Sequence, residues 1–187
     1  MSKHIVIASL AATVAMCLLP ANSVARPGAT EQEIQDWGVA PIANVKGENL
    51  HSPTPTSIPG GKTILASEMR DWLQSADKPI VIDVLGGDIS GRRGLPGAIY
   101  MGSEIGAGRI GIEMRDRYRV ALEKLTGGDK SKPLVFYCLN AQCWLSYNAS
   151  RRAIVAGYTN VYWYRGGIEA WKELGYPGEQ PRGLLEW

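Results

Sequence analysis

Three short apolar runs constrain this chain more than anything else in it: "PIVIDV" at residues 79–84, "PLVFY" at 133–137 and "VYWY" at 161–164. A strand with one wet face alternates apolar and polar side chains. A run that is apolar at every position belongs instead to a strand covered on both faces. "AIYM" (98–101) and Ile64-Leu65 are shorter candidates of the same kind. Between these runs the spacing turns helical. In "SEMRDWLQSA", Met69, Trp72 and Leu73 fall on one face behind Ser67 as N-cap. From Glu113 to Leu125, the residues Met114, Tyr118, Ala121, Leu122 and Leu125 form one stripe, which Gly127-Gly128 stops. Leu145, Ala149, Ala153 and Ala156 mark another helix ended by Gly157, and "GIEAWKELG" a last short one. Strands alternating with helices predict an α/β fold: a single domain built on an open parallel sheet with helices on both faces. Ligands of such sheets bind beyond the carboxyl ends of the strands.

The length of 187 residues and the 45% apolar composition suit one such domain with extensions. Twenty Lys and Arg against eighteen Asp and Glu give a net charge of +2, with no basic block, which argues against nucleic acid as a partner. Residues 1–25 read as a signal peptide: Lys3 and His4, an apolar run from Ile5 to Leu19, then Ser23-Val24-Ala25 as a cleavage site. Cleavage after Ala25 predicts a periplasmic or secreted protein with no membrane association once processed, the apolar run being too short for a span. Cys17, preceded by Met16, belongs to that segment. Residues 26–61 form a Pro/Gly-rich arm that ends in "HSPTPTSIPGG". Within it "EQEIQDWGVA" is expected to make a turn or two of helix with Ile34 and Trp37 facing the domain. The domain proper is assigned to 62–178 and a C-terminal tail to 179–187.

The chemistry concentrates in "VFYCLNAQCWLSYNASRRA" (135–153), where Cys138 and Cys143 join a strand to a helix. A turn of this kind brings backbone N–H groups together at a helix N-terminus, which binds anions and favours a thiolate over a thiol. Four readings compete: a metal site, a structural disulfide, inert buried cysteines, or a nucleophile with a partner thiol. With no second cysteine pair and no histidine nearby, a four-ligand zinc site lacks its ligands. An oxidising compartment favours the disulfide. His51 is the one histidine left after signal removal, and it lies in the proline-rich arm far along the chain from both cysteines.

Several stretches carry a resemblance. "IDV" (82–84), "GLPGAIYM" (94–101), "VFYC" (135–138) and "GYTNVYWYRGGIEAWKELGYP" (157–177) resemble the successive signatures of rhodanese-like sulfurtransferase domains over about residues 62–178. More narrowly, "CLNAQCW" with the leader and arm resembles exported rhodanese-like proteins associated with pyrroloquinoline-quinone-dependent alcohol catabolism and named for a Cys-x-x-Cys-Trp motif. The resemblance implies Cys138 as a persulfide-forming nucleophile, and an anion-binding loop of Leu139, Asn140, Ala141, Gln142 and Trp144. Asp83 and Ser146 would be supporting residues. Cys143 would be a resolving thiol that attacks a Cys138 persulfide or sulfenate and closes a disulfide. It implies a small sulfur donor such as thiosulfate or a protein thiol, a periplasmic quinoprotein dehydrogenase system as partner, and neither cofactor nor metal.

The chain also departs from that family. The loop "LNAQCW" holds no cation, and Arg151 and Arg152 follow one to two helical turns later. Related phosphatases need Cys-x5-Arg, and Trp144 stands where that arginine would be. Four residues separate the cysteines, not two. A thiol-disulfide or accessory binding module using the Cys138–Cys143 pair is therefore the competing function.

Overall fold

In the computed structural model, which describes residues 28–183, the apolar runs become the centre of one sheet. The expected signal peptide with Cys17, and the end of the tail, lie outside the described residues. The elements run α1 (Glu31–Ile34), β1 (Lys62–Thr63), α2 (Ala66–Gln74), β2 (Ile80–Asp83), β3 (Ile99–Tyr100), a 3-10 turn (Glu104–Gly106) and α3 (Ile112–Thr126). β4 (Leu134–Tyr137), α4 (Trp144–Val155), β5 (Val161–Tyr164), α5 (Gly167–Glu173) and β6 (Arg182–Gly183) complete them. The strand order is β1-β5-β4-β2-β3-β6, and every pairing is parallel.

Side chains of a strand point alternately to its two faces, and here both faces are covered. Ile82, Leu134 and Phe136 meet Tyr118, Ala121 and Leu122 of α3 and Ala149 and Ala153 of α4. Val81, Val135 and Tyr137 meet Ala66, Met69 and Leu73 of α2 and Ile168 and Trp171 of α5. Each large side chain buried this way contributes roughly 1.5–3 kcal/mol. The alanines along α4 let that helix sit close on the strands.

Several boundaries differ from the sequence expectation. The first strand pairs through Lys62 and Thr63, while Ile64 follows it with its N–H on the Trp163 carbonyl at 3.1 Å. Leu65, not Ser67, is the N-cap of α2, and Glu68 reaches back to accept from its N–H at 2.8 Å. The tail opposite Ala98–Met101 supplies β6, so the sheet continues past residue 178. Gly127, in the left-handed conformation at φ 66°, ends α3 as its composition predicts.

The arm is built into the domain. Arg165, 1% exposed, donates to the carbonyls of Glu33 (2.6 Å), Gln35 (2.8 Å) and Thr54 (3.2 Å) and to the Thr54 hydroxyl (3.1 Å). It also stacks on Trp37, 4.9 Å from the ring. Burial lowers its pKa to about 10, which leaves it charged at neutral pH. The expected inward pair Ile34 and Trp37 is only half-buried, and Glu33, just before them, is the buried residue. Thr30 caps the short helix through the Glu33 N–H, and the Glu33 carboxylate accepts from Ala66 N–H at 2.8 Å.

Burial pushes the Glu33 carboxyl up to about 7, against the smaller lowering effects of the Ala66 and Thr30 N–H groups. A folded pKa above the unfolded one means that the fold favours the protonated form. The stabilisation is complete below the carboxyl's ordinary value of 4.5 and is lost as the pH rises to about 7. Urea midpoints of the wild type should therefore fall across that window. Glu33→Gln, which keeps the acceptor for Ala66 and cannot ionise, should give a curve without that fall.

Candidate functional site

Cys138 is the first residue beyond β4, and Cys143 is the N-cap of α4. The two form a disulfide with their Cα atoms 6.3 Å apart, and both residues are buried. Of the competing readings, the structure takes the bonded pair. The loop between them is gripped by the start of α5, where Ile168 N–H donates to the Cys138 carbonyl and Glu169 N–H to the Leu139 carbonyl, both at 3.0 Å. That grip explains the paired glycines of "YRGG". Gly167 sits at φ 62°, and a Cβ there would lie 2.6 Å from the Cys138 oxygen and 2.5 Å from the Leu139 oxygen. Only glycine allows so close an approach.

Asn140 organises the middle of the loop. Its side-chain oxygen accepts from Gln142 N–H (2.8 Å), its amide donates to the Glu169 carboxylate (2.8 Å), and its carbonyl accepts from Cys143 N–H (3.1 Å). The expectation that the N–H groups from Leu139 to Trp144 converge on an anion therefore needs correction. Gln142 and Cys143 spend theirs on Asn140, and Trp144 donates to the Leu50 carbonyl at 2.9 Å. The physical reason is twofold: Asn140 folds the loop back onto its own donors, and the arm, which lies across the start of α4, takes the donor of Trp144. Among the described residues, only the Leu139, Asn140 and Ala141 N–H groups of the loop have no protein acceptor.

Three further arm contacts seal the loop. The Thr54 N–H and hydroxyl both reach the Ala141 carbonyl, at 3.3 and 2.6 Å, and the Trp144 indole donates to the Pro53 carbonyl at 3.1 Å. His51, remote in sequence, pairs antiparallel with Cys143 through the backbone and is itself exposed. Trp144 is 1% exposed and packs with Tyr147, Trp163 and Ile58, so it anchors the helix and arm. The Ser146 hydroxyl accepts from the Trp163 indole at 2.9 Å, which fixes that anchor and not the loop. Arg151 is tied to the Ala43 and Pro59 carbonyls and Arg152 to those of Ile105 and Ala107, so neither arginine supplies a cation to the cysteines. Leu139, 36% exposed, is the large apolar side chain that the loop presents to solvent.

Asp83, at the end of β2, is fully buried. One oxygen accepts from Leu85 N–H (2.8 Å), and the other from the Tyr137 hydroxyl and from Arg92, both at 2.9 Å. Burial raises its pKa, opposed by the Leu85 N–H and the charge of Arg92, and burial drives the Tyr137 hydroxyl well above its usual range. Tyr137 packs on the α2 and α5 face of the sheet, whereas Cys138 packs on the α3 and α4 face. The Asp83–Tyr137–Arg92 network thus locks the strand that delivers Cys138 without touching its sulfur. Arg92 and Arg165 escaped the sequence reading because each lies in a loop, Arg92 beside a second arginine and Arg165 alone, with no periodic pattern to mark it as buried. The only signal was the Arg-Gly-Gly that follows "VYWY". No His, Cys, Asp and Glu grouping among the described residues could hold a metal ion, and no described helix is long and apolar enough to cross a membrane.

Residues 65–174 match the family described as Rhodanese-like domain. Among solved structures, the chain is similar to a thiosulfate sulfurtransferase from Pseudomonas aeruginosa, with a TM-score of 0.52 and 18% identity over 68% of this chain and 22% of that one. It is similar to the polysulfide-sulfur transferase homodimer of Wolinella succinogenes at TM-score 0.43 and 21% identity, over 64% of this chain and 79% of that one. A full-length protein from Lactobacillus plantarum gives 0.44 and 20%, over 61% and 82%. These likenesses concern the fold. No curated protein matches the chain.

Because the disulfide is buried beneath the arm, a small reductant reaches it only when the arm lifts locally. Thr54→Ala removes the hydroxyl bond to Ala141 and one to Arg165, each worth about 1 kcal/mol. Reduction by dithiothreitol, followed by thiol alkylation, should be at least about five-fold faster in this variant.

Proposed function

The chain belongs to the rhodanese-like domain family, and we propose that it transfers sulfane sulfur through Cys138 once the Cys138–Cys143 disulfide has been reduced. One observation carries the reading: Cys138 leaves the carboxyl end of a central parallel strand into a loop that retains N–H groups without protein acceptors, at the N-terminus of α4. Such a place stabilises a thiolate, and then the anionic persulfide that replaces it.

The steps follow from thiol chemistry. A dithiol partner first reduces the disulfide and is itself oxidised. The Cys138 thiolate then attacks the outer sulfur of a donor such as thiosulfate; the new S–S bond forms as the old one breaks, and sulfite leaves with the electron pair. An acceptor thiol can take the outer sulfur from the persulfide. Without one, the Cys143 thiolate attacks the Cys138 sulfur, expels sulfide and restores the disulfide, so that the two cysteines supply the two electrons. Burial of both cysteines under Leu50–Thr54 requires the arm to move before a donor can enter.

A second reading keeps the fold and drops the sulfur. The closed Cys138–Cys143 pair and the cation-free loop favour a thiol-disulfide or accessory module that exchanges electrons with a partner dithiol. In either case we place the protein outside the cytoplasm. The apolar run ending in Ser23-Val24-Ala25 supports that location, and a disulfide suits an oxidising compartment. The resemblance of "CLNAQCW" to the motif of exported proteins of quinone-dependent alcohol catabolism supports a periplasmic quinoprotein dehydrogenase system as partner.

Sulfite and sulfide released from thiosulfate by pre-reduced protein distinguish the readings. The wild type should release one sulfite and one sulfide per turnover and end as the disulfide. Cys143→Ser should release sulfite, hold the sulfur and give no sulfide until a thiol is added, and Cys138→Ala should release neither. Sulfite release by Cys138→Ala but not by Cys143→Ala would move the nucleophile to Cys143. Release by no form would leave the redox reading.

A further inference from the structure

At the opposite end of α4 from the cysteines, a groove of about 690 Å³ lies between that helix, the first half of α3 and arm residues 43–45. Two features set it apart. The described residues expose four large hydrophobic side chains, and two of them, Ile112 (70%) and Val155 (77%), line this groove. The same groove is lined by Arg115, Arg119, Arg151 and Arg152 against a single carboxylate, Asp116.

The positive charge there is largely uncompensated. Arg119 pairs with Glu123 at 3.1 Å, but Arg115 makes no ion pair or side-chain hydrogen bond among the described residues. Arg151 and Arg152 bond only to backbone carbonyls, which hold their guanidinium groups in place without cancelling their charge. Burial lowers the Arg152 pKa; Tyr118 opposes that fall, and the nearby charge of Arg115 adds to it. An anion placed between these arginines would relieve that repulsion.

We propose that this groove binds a small organic monoanion, a carboxylate carried on an apolar body, with the body lying over Ile112 and Val155 and the carboxylate among Arg115, Arg151 and Arg152. A neutral hydrophobe would leave the arginines uncompensated, and a polyphosphate would leave the apolar walls in water. The volume lies within the range of small-molecule sites. Carboxylate recognition by guanidinium groups already held in place avoids the entropy of ordering them on binding. The site is separate from Cys138 and does not depend on sulfur transfer.

Decanoate serves as the probe in isothermal titration against the full chain with its disulfide intact, beside decanol and decyltrimethylammonium, all below micelle-forming concentrations. One saturable decanoate site is expected, with the neutral and cationic analogues at least about ten-fold weaker. Arg115→Ala and Val155→Asp alter exposed side chains, so both should keep the wild-type unfolding midpoint while each weakens decanoate about five-fold or more. Val120→Asp, on α3 outside the groove, should bind as the wild type does. The proposal is overturned by the absence of a saturable site, by equal affinity for decanol, or by unchanged affinity in the Arg115 and Val155 variants. Binding of a Leu-Leu-Glu-Trp peptide, the sequence of residues 184–187, where decanoate does not bind would likewise overturn it, in favour of a protein segment.

Discussion

β4 carries four consecutive buried side chains and has a parallel neighbour on each side, so its chain can leave the sheet only at the ends. Burial on both faces requires helices above and below, and parallel pairing requires each crossover to return the chain to the same end of the strands. The carboxyl ends of β2, β4 and β5 therefore gather on one rim. Cys138 emerges there, Asp83 closes β2 beside it, and Arg165 follows β5. The rim is a consequence of burying Val135 and Phe136, and the chemistry occupies it because backbone donors have no strand to pair with beyond that point.

Around this rim the protein spends polar groups on holding the arm. The guanidinium of Arg165 gathers carbonyls at Glu33, Gln35 and Thr54, and Thr54 in turn holds the loop at Ala141. The arm, the buried arginine and the cysteine loop thus form one connected hydrogen-bonded unit. With the disulfide closed, the unit is packed and sealed. The arm contacts both Ala141 and Trp144 within the loop, so any opening of the loop must also move the arm.

The sheet was legible because short unbroken runs such as "PLVFY" between turn residues suit a strand covered on both faces, and the helices because Gly127 and Gly157 stop clear stripes. The position of Cys138 followed from that pattern alone. What stayed hidden depended on contacts between residues roughly a hundred positions apart. Nothing near "CLNAQCW" announces that Leu50 will take the Trp144 N–H, which, with the turn that Asn140 makes on Gln142 and Cys143, left the expected anion cradle drawn too large. Glu33 reads as an ordinary surface glutamate until Ala66 and Arg165 close around it. β6 was invisible because Arg182 and Gly183 join the sheet through the backbone, with no apolar side chain to mark them.

Peptide mass spectrometry of the protein, reduced and then exposed to thiosulfate under anaerobic conditions with Cys143 replaced by serine, addresses the central claim most directly. One added sulfur atom is expected on the peptide that contains Cys138, removable by cyanide. A fully reduced, accessible Cys138 that gains no sulfur from thiosulfate or from a persulfide donor would contradict it.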